Sequence, residues 1–390
     1  MHYHWKKLFP ARPEPVLYMQ DKNLHTSREA ALYCLQKLVA IPALSRNEAA
    51  RADYITSFLE NKNVTVRRVG QNIWAVSKNF KNGLPALLLN SHLDTVAPNK
   101  GYTLNPYDAK IRDGKIYGLG TTDAGASLVC LLLCFLYFSD VENLPFNIIF
   151  AASAEEEISG SGGISLLFRD EDFRNAVMHD RSVAIVGEPT QLDLAIAEKG
   201  LLVLDVEVTG QAGHAAREEG ENAIYKAIEI ADWFRTYKFS RISALLGEMK
   251  MTVTGFYTAN TAHNVVPALC TLMVDVRVTD AYTHEEVLEE ITHHIKASVR
   301  PRSTRLRSTC ILDTHPLVAA GVHLGKRIYG SPTSSDKALM PIPALKCGPG
   351  FSGQSHSADE FILLEDIYSG VNFYINLVSE FAHSCKQNNS

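Results

Sequence analysis

What this chain of 390 residues lacks narrows it first. Its cysteines, Cys34, Cys130, Cys134, Cys270, Cys310, Cys347 and Cys385, are odd in number and scattered, with no C-x-x-C pair. That pattern excludes a disulfide framework and a cysteine-built zinc site, and points to a reducing compartment, by default the cytoplasm. The longest apolar run, Leu128 to Phe138, falls well short of the roughly 20 residues that cross a bilayer. The opening MHYHWKKLFPARPEP has no apolar stretch of the signal-peptide kind. No long Lys/Arg cluster occurs, and 38 basic against 43 acidic residues give a formal charge of −5. Binding to nucleic acid or to an anionic membrane therefore has no electrostatic footprint here. Internal repeats and low-complexity segments are absent as well.

What is present is an ordinary globular composition, 46% hydrophobic and 21% charged, long enough for two or three domains. Helical spacing covers Arg28–Leu38 and Glu48–Glu60, and short strands are expected at Asn63–Arg68 and Asn72–Ser77. Pro85–Asn90, Phe146–Ala151 and Ser182–Val186 read as buried strands, with a buried helix at Ala126–Phe138. This alternation favours an α/β fold. After Glu188-Pro189-Thr190 the texture changes. Strands at Leu201–Thr209, Lys250–Tyr257, Thr271–Thr279 and Thr304–Cys310, with helices at Asn222–Thr236 and His284–Ser298, describe an α+β unit of the split βαβ (ferredoxin-like) kind. The expected division is 1–198 and 312–390 for one α/β domain, interrupted by an inserted domain at 199–311.

The unusual polar residues follow the apolar strands. His92 and Asp94 come after the first, Glu155, Glu156 and Glu157 after the second, and Glu188 after the third. In open α/β sheets ligands gather beyond the carboxyl ends of strands. Asp123 sits in a Gly-rich turn, G-L-G-T-T-D-A-G-A-S, whose spacing fits neither phosphate-binding glycine motif. His356 lies in a second Gly-rich loop, G-P-G-F-S-G-Q-S-H-S-A-D-E. Two histidines with several carboxylates suit a borderline divalent metal such as zinc, and that many acids in one pocket need cations. Asp94, two residues after His92, shares its face in an extended chain and is expected to accept the other imidazole N–H. Singly, each residue also reads as a loop polar group, a helix N-terminal acid or an N-cap. Jointly those readings require five coincidences at one sheet edge.

The ordered motifs S-H-L-D-T-V, G-x-G-x-x-D, the paired glutamates, G-E-P-T, G-x-x-G-H-A-A, N-V-V-P with D-V-R, and S-H-S-A-D-E resemble the M20 metallopeptidase/deacylase family, over nearly the whole chain. The resemblance implies an amide hydrolase with two divalent metal ions, zinc first and cobalt second. Asp123 would bridge them, with His92 and Glu188 on one ion and Glu157 and His356 on the other. Glu156 would be the general base acting on a water shared by the metals, and Asp94 would support His92. Residues 1–198 and 312–390 would form the catalytic domain and 199–311 the lid and dimerisation domain. From that lid His214 would reach the partner's active site, and Arg277 and Asn264 would bind substrate.

V-G-E-P-T with A-E-K-G, Ala197 to Gly200, is similar to the acetylornithine deacetylase branch. The expected activity is hydrolysis of a small N-acyl amino acid in arginine biosynthesis, by a cytoplasmic homodimer. N-acetylornithine and N-acetyl- or N-succinylcitrulline are the leading substrates. Succinyl-diaminopimelate desuccinylase and a dipeptidase or aminoacylase are the alternatives, and a non-catalytic binding relative is the reading from another class.

Overall fold

The computed structural model describes residues 21–217 and 219–387, with side chains from residue 28 onward. The segment MHYHWKKLFPARPEP lies outside the described residues. Among the described residues, the largest of four sheets has nine strands. At its centre Asn147–Ser153, Ala86–His92, Val183–Gly187 and Ala344–Cys347 lie side by side, all parallel, and every residue in them is buried. Continuous apolar runs such as ALLL, IIFAA and VAIV form strands of this kind because helices cover both sheet faces.

One face packs against Ala126–Ser139, Leu364–Gln387 and Asp21–Val39, through a cluster that includes Leu35, Leu89, Leu131, Phe135, Phe150 and Phe381. The opposite face closes over Trp74, Leu88, Ile149, Phe173 and Val186. The segment Thr121–Ser139, made of a turn and the core helix, is long and apolar enough to cross a membrane by length and composition, but 78% of that window is buried inside the protein. Its apolar surface is therefore used as core.

A second sheet of four strands runs in the order Lys250–Tyr257, Leu269–Val278, Gly200–Thr209, Ser298–Pro301, with every neighbouring pair antiparallel. The two central strands alternate buried and half-buried residues, and helices Ala223–Thr236 and His284–His294 complete a split βαβ arrangement with its own apolar cluster. One expectation is corrected. Thr304–Cys310 was to be the fourth strand, yet Ser298–Pro301 takes that place. The preceding helix stops at His294 with Ile295 already extended, so the chain reaches the sheet edge early. Pro301, which has no N–H to donate, ends this edge strand. Thr309–Cys310 instead pairs with Leu194–Glu198 of the large sheet. The first expected strand is also shorter, beginning at Val66 after a left-handed Asn63.

Candidate metal centre

The four parallel strands all end at one edge, and each end delivers acids or imidazoles. His92 closes its strand, Glu155–Glu157 follow Ser153, Glu188 follows Gly187, and the loop carrying His356 follows Cys347. Asp123 enters from the turn before the core helix, where the Asp123–Ala124 peptide is cis. The acids after Ser153 lie in a turn, so the reading of them as a helix N-terminus fails.

Two groups of ligand atoms result. In one, His92 Nε2 lies 3.2 Å from Asp123 Oδ1 and 3.8 Å from Glu188 Oε1. In the other, His356 Nε2 lies 2.9 Å from Glu157 Oε2 and 3.6 Å from Asp123 Oδ2. Within each group the ligand atoms all lie within 4.8 Å of one another. Asp123 belongs to both and turns one oxygen to each side. Two imidazoles and three carboxylates form the N/O donor set that divalent zinc-like ions take, so the residues present fit a pair of such ions.

Electrostatics point the same way. Burial and the nearby Asp123 charge push Glu188 up to about 8. Burial and Glu188 push Glu156 well above the usual carboxylate range. The Glu157 carboxylate raises His356 to about 9. Burial opposes ionisation of Asp123, but the His92 hydrogen bond and the two imidazolium charges hold it below its ordinary value. Without a cation this cluster takes up protons to relieve crowding; bound cations would replace them.

The residues behind the ligands were only partly legible. His92 Nδ1 meets the backbone carbonyl of Asp94 at 3.0 Å, closer than the Asp94 carboxylate at 3.5 Å. That carboxylate also accepts the backbone N–H groups of Glu156 and Glu157, both at 3.1 Å, and the hydroxyl of Ser45 at 2.7 Å. Glu48, fully buried, accepts the N–H of Glu155 at 3.0 Å. Glu360, also buried, accepts the N–H groups of Gly120, Thr122 and Asp123. Glu48 carries no sequence signal, because it looks like the first acid of an exposed helix. Glu360 lies inside S-H-S-A-D-E, but nothing in that motif separates its role from that of the neighbouring acid Asp359.

A pocket of about 450 Å³ opens over these groups, lined by Asp123, Glu156, Glu157, Glu188 and His356 on one side. Arg277, Tyr329, Thr333, Ser334 and Lys346 are among the residues that line the rest. Asp275 holds Arg277 by two hydrogen bonds, Nε at 2.8 Å and Nη2 at 2.9 Å, leaving Nη1 outside that pair. His214 and Asn264 are not among the lining residues. His214 pairs with Val265 in a two-stranded ribbon and Asn264 sits in the turn just before it, where the N–H of Ala215 bonds to the Asn264 carbonyl at 3.0 Å, and both side chains are exposed.

Residues 88–380 match the profile of peptidase family M20/M25/M40, three quarters of the chain. The chain belongs to this family. A succinyl-diaminopimelate desuccinylase from Ruegeria is 24% identical over 67% of this chain and 68% of that protein. A probable carboxypeptidase from Paracoccidioides lutzii is 25% identical over 92% and 87%. Acetylornithine deacetylase from Proteus mirabilis is 27% identical over 84% and 90%. Among solved structures, an M20 metallo-carboxypeptidase from Sulfolobus solfataricus superposes with a TM-score of 0.72 at 18% identity, covering 90% of this chain and 99% of that one. A dinuclear metal-binding M20 peptidase from Bacillus subtilis gives 0.65 at 17%, covering 93% and 99%. The protein is thus an M20-family amide hydrolase with the fold of that family.

Proposed function

We propose that this M20 hydrolase removes the acyl group from an N-acyl amino acid, N-acetylornithine or N-acetyl- or N-succinylcitrulline, in arginine biosynthesis. The observation that carries the reading is one pocket lined by Glu156, by Asp123, Glu157, Glu188 and His356 of the two ligand groups, and by Arg277. A guanidinium suits a substrate carboxylate, and Nη1 is the nitrogen left for it. Two divalent ions, zinc before cobalt, would be held by His92 and Glu188, by Glu157 and His356, and by Asp123 between them. When bound they supply polarisation of the scissile carbonyl and a more acidic water.

The chain's own residues do the rest. Glu156 takes the proton from the attacking water and returns it to the leaving amine nitrogen. Asp94 fixes the backbone that carries Glu156 and Glu157. His214 of the partner subunit stabilises the developing oxyanion and Asn264 contacts substrate, which requires a homodimer built through the 199–311 lid domain. The free thiols of all seven cysteines suit a cytoplasmic setting.

The test is turnover of a panel of N-acetylornithine, N-acetylcitrulline, their N-succinyl counterparts, succinyl-diaminopimelate and a dipeptide. Hydrolysis of an acylated ornithine or citrulline, lost with chelator and restored by zinc or cobalt, is expected. Preferred cleavage of the diaminopimelate or dipeptide substrate transfers the protein to the neighbouring branches. Stoichiometric metal with no turnover makes it a binding relative.

A further inference from the structure

We infer that Glu360 is the positioning residue that holds Asp123 between the two ligand groups, an inference that rests on the two-metal reading above. Asp123 can serve both groups only if its carboxylate stays between them, and its turn has little regular structure to fix it. The backbone at Asp123 and Ala124 leaves helical geometry, and Gly120, just before the turn, sits at φ +76°. A side chain at Gly120 would meet Thr95 Cγ2 at 2.6 Å, so the chain passes through a gap that only glycine fits. The turn therefore has free N–H groups pointing inward, and a buried free N–H is costly.

One side chain collects them. Glu360 Oε2 accepts the N–H of Gly120 at 2.9 Å, and Oε1 accepts those of Thr122 at 2.8 Å and Asp123 at 3.1 Å. Its own carbonyl accepts the N–H of Gly118 at 2.9 Å, and Thr122 Oγ1 donates to the next carbonyl, that of Phe361, at 2.8 Å. Glu360 is 1% exposed. It also stands four residues after His356, and its neighbour Asp359 accepts the N–H groups of Thr103 and Leu104 at 2.9 Å. A single residue thus ties the turn of the shared ligand to the loop of the other group's histidine.

The choice of a carboxylate is itself informative. Its charge repels that of Asp123, and the pair is held close all the same. Glutamine would be the less costly buried residue, but its amide has one acceptor oxygen. It could serve Thr122 and Asp123, and would then turn an NH₂ toward the N–H of Gly120. Only a carboxylate accepts from all three.

The experiment is a zinc titration of chelator-stripped protein, followed by competition with a chromophoric chelator, for wild type, Glu360→Gln and Glu360→Asp. Glu360→Gln is expected to bind zinc roughly 10- to 100-fold more weakly, the range typical of residues that orient metal ligands. Its circular dichroism should be unchanged, and Glu360→Asp should be weakened as well. A residue that only stabilised the fold would lower the melting temperature and leave zinc affinity alone. Affinity of Glu360→Gln within twofold of wild type overturns the inference while leaving the metal site standing. If wild type itself binds no zinc, the two-metal reading falls and takes this inference with it. Amide hydrogen exchange on wild type tests the clamp without any substitution. Gly120, Thr122 and Asp123 should be protected in the stripped protein, and rapid exchange at all three overturns it.

Discussion

Glu156 and Glu157 are neighbours in sequence with different surroundings, and their roles follow from that. Glu157 lies 2.9 Å from His356 within a ligand group. Glu156 joins neither group, although it lines the same pocket and shares with Glu157 the backbone anchor at Asp94. A carboxylate beside the ligands but outside them is placed to move protons. Glu156→Gln is therefore expected to keep full metal stoichiometry and to lose about 10²- to 10⁴-fold in kcat, the usual contribution of general acid–base catalysis. Metal content and kcat measured on the same preparation check it, and near-normal turnover removes Glu156 from the role. Asp123→Ala should do the reverse at the metal step, since both groups lose a ligand. A variant that still holds two equivalents of zinc would show that Asp123 is not shared.

At the scale of elements, the strands that carry the site were the most legible part of the chain. Ala86–His92, Asn147–Ser153 and Val183–Gly187 lie within two residues of the apolar runs that announced them. A strand buried on both faces has to be apolar throughout, so burial writes itself into the sequence. Edge elements carry no such constraint. Ser298–Pro301 has one half-buried and three exposed residues, and its polar sequence gave no reason to prefer it over Thr304–Cys310. The groups behind the site were illegible for a related reason: Glu48 and Glu360 act on backbone N–H groups 107 and about 240 positions away. No local pattern marks such pairs. The core helix Ala126–Ser139 couples fold to site, because Phe135 packs on Phe150 of the strand leading to Glu156, with ring centroids 5.9 Å apart. Phe135→Ala leaves a cavity in a side chain that is 0% exposed, at a cost of about 3–5 kcal/mol. A urea midpoint unchanged from wild type would show that this contact is not part of the core.

Across the whole molecule, exposed His214 and the adjoining Asn264 are outside the pocket lining, so the role proposed for His214 requires a second copy. If the proposed homodimer places His214 in the partner's site, mixing inactive His214→Ala and Glu156→Gln protomers should restore a fraction of activity, since one of the two sites in a mixed dimer then has every residue it needs. No recovery under conditions of subunit exchange argues for a site completed within one chain. The charge state of the protein gives a second global expectation. Burial raises Asp336 and Glu360 to about 7, and burial with Asp123 raises Glu188 to about 8, while Glu157 raises His356 to about 9. A group whose pKa is higher folded than unfolded stabilises the fold fully below its unfolded value, and loses that contribution as pH rises through the folded value. All four therefore weaken the metal-free protein between pH 6.5 and 8. Groups of opposite sign act mainly outside this window: Lys337, lowered to about 8 by burial, contributes above it, and His284 and His315, lowered by burial, act below it. Metal binding through Glu188 and His356 would need both deprotonated, so it is expected to grow stronger with pH over the same range. The melting temperature of chelator-treated protein should fall from pH 6.5 to 8 while the gain on adding zinc increases. A metal-free melting temperature that rises with pH would mean that these buried acids are already ionised, with some cation other than metal facing them.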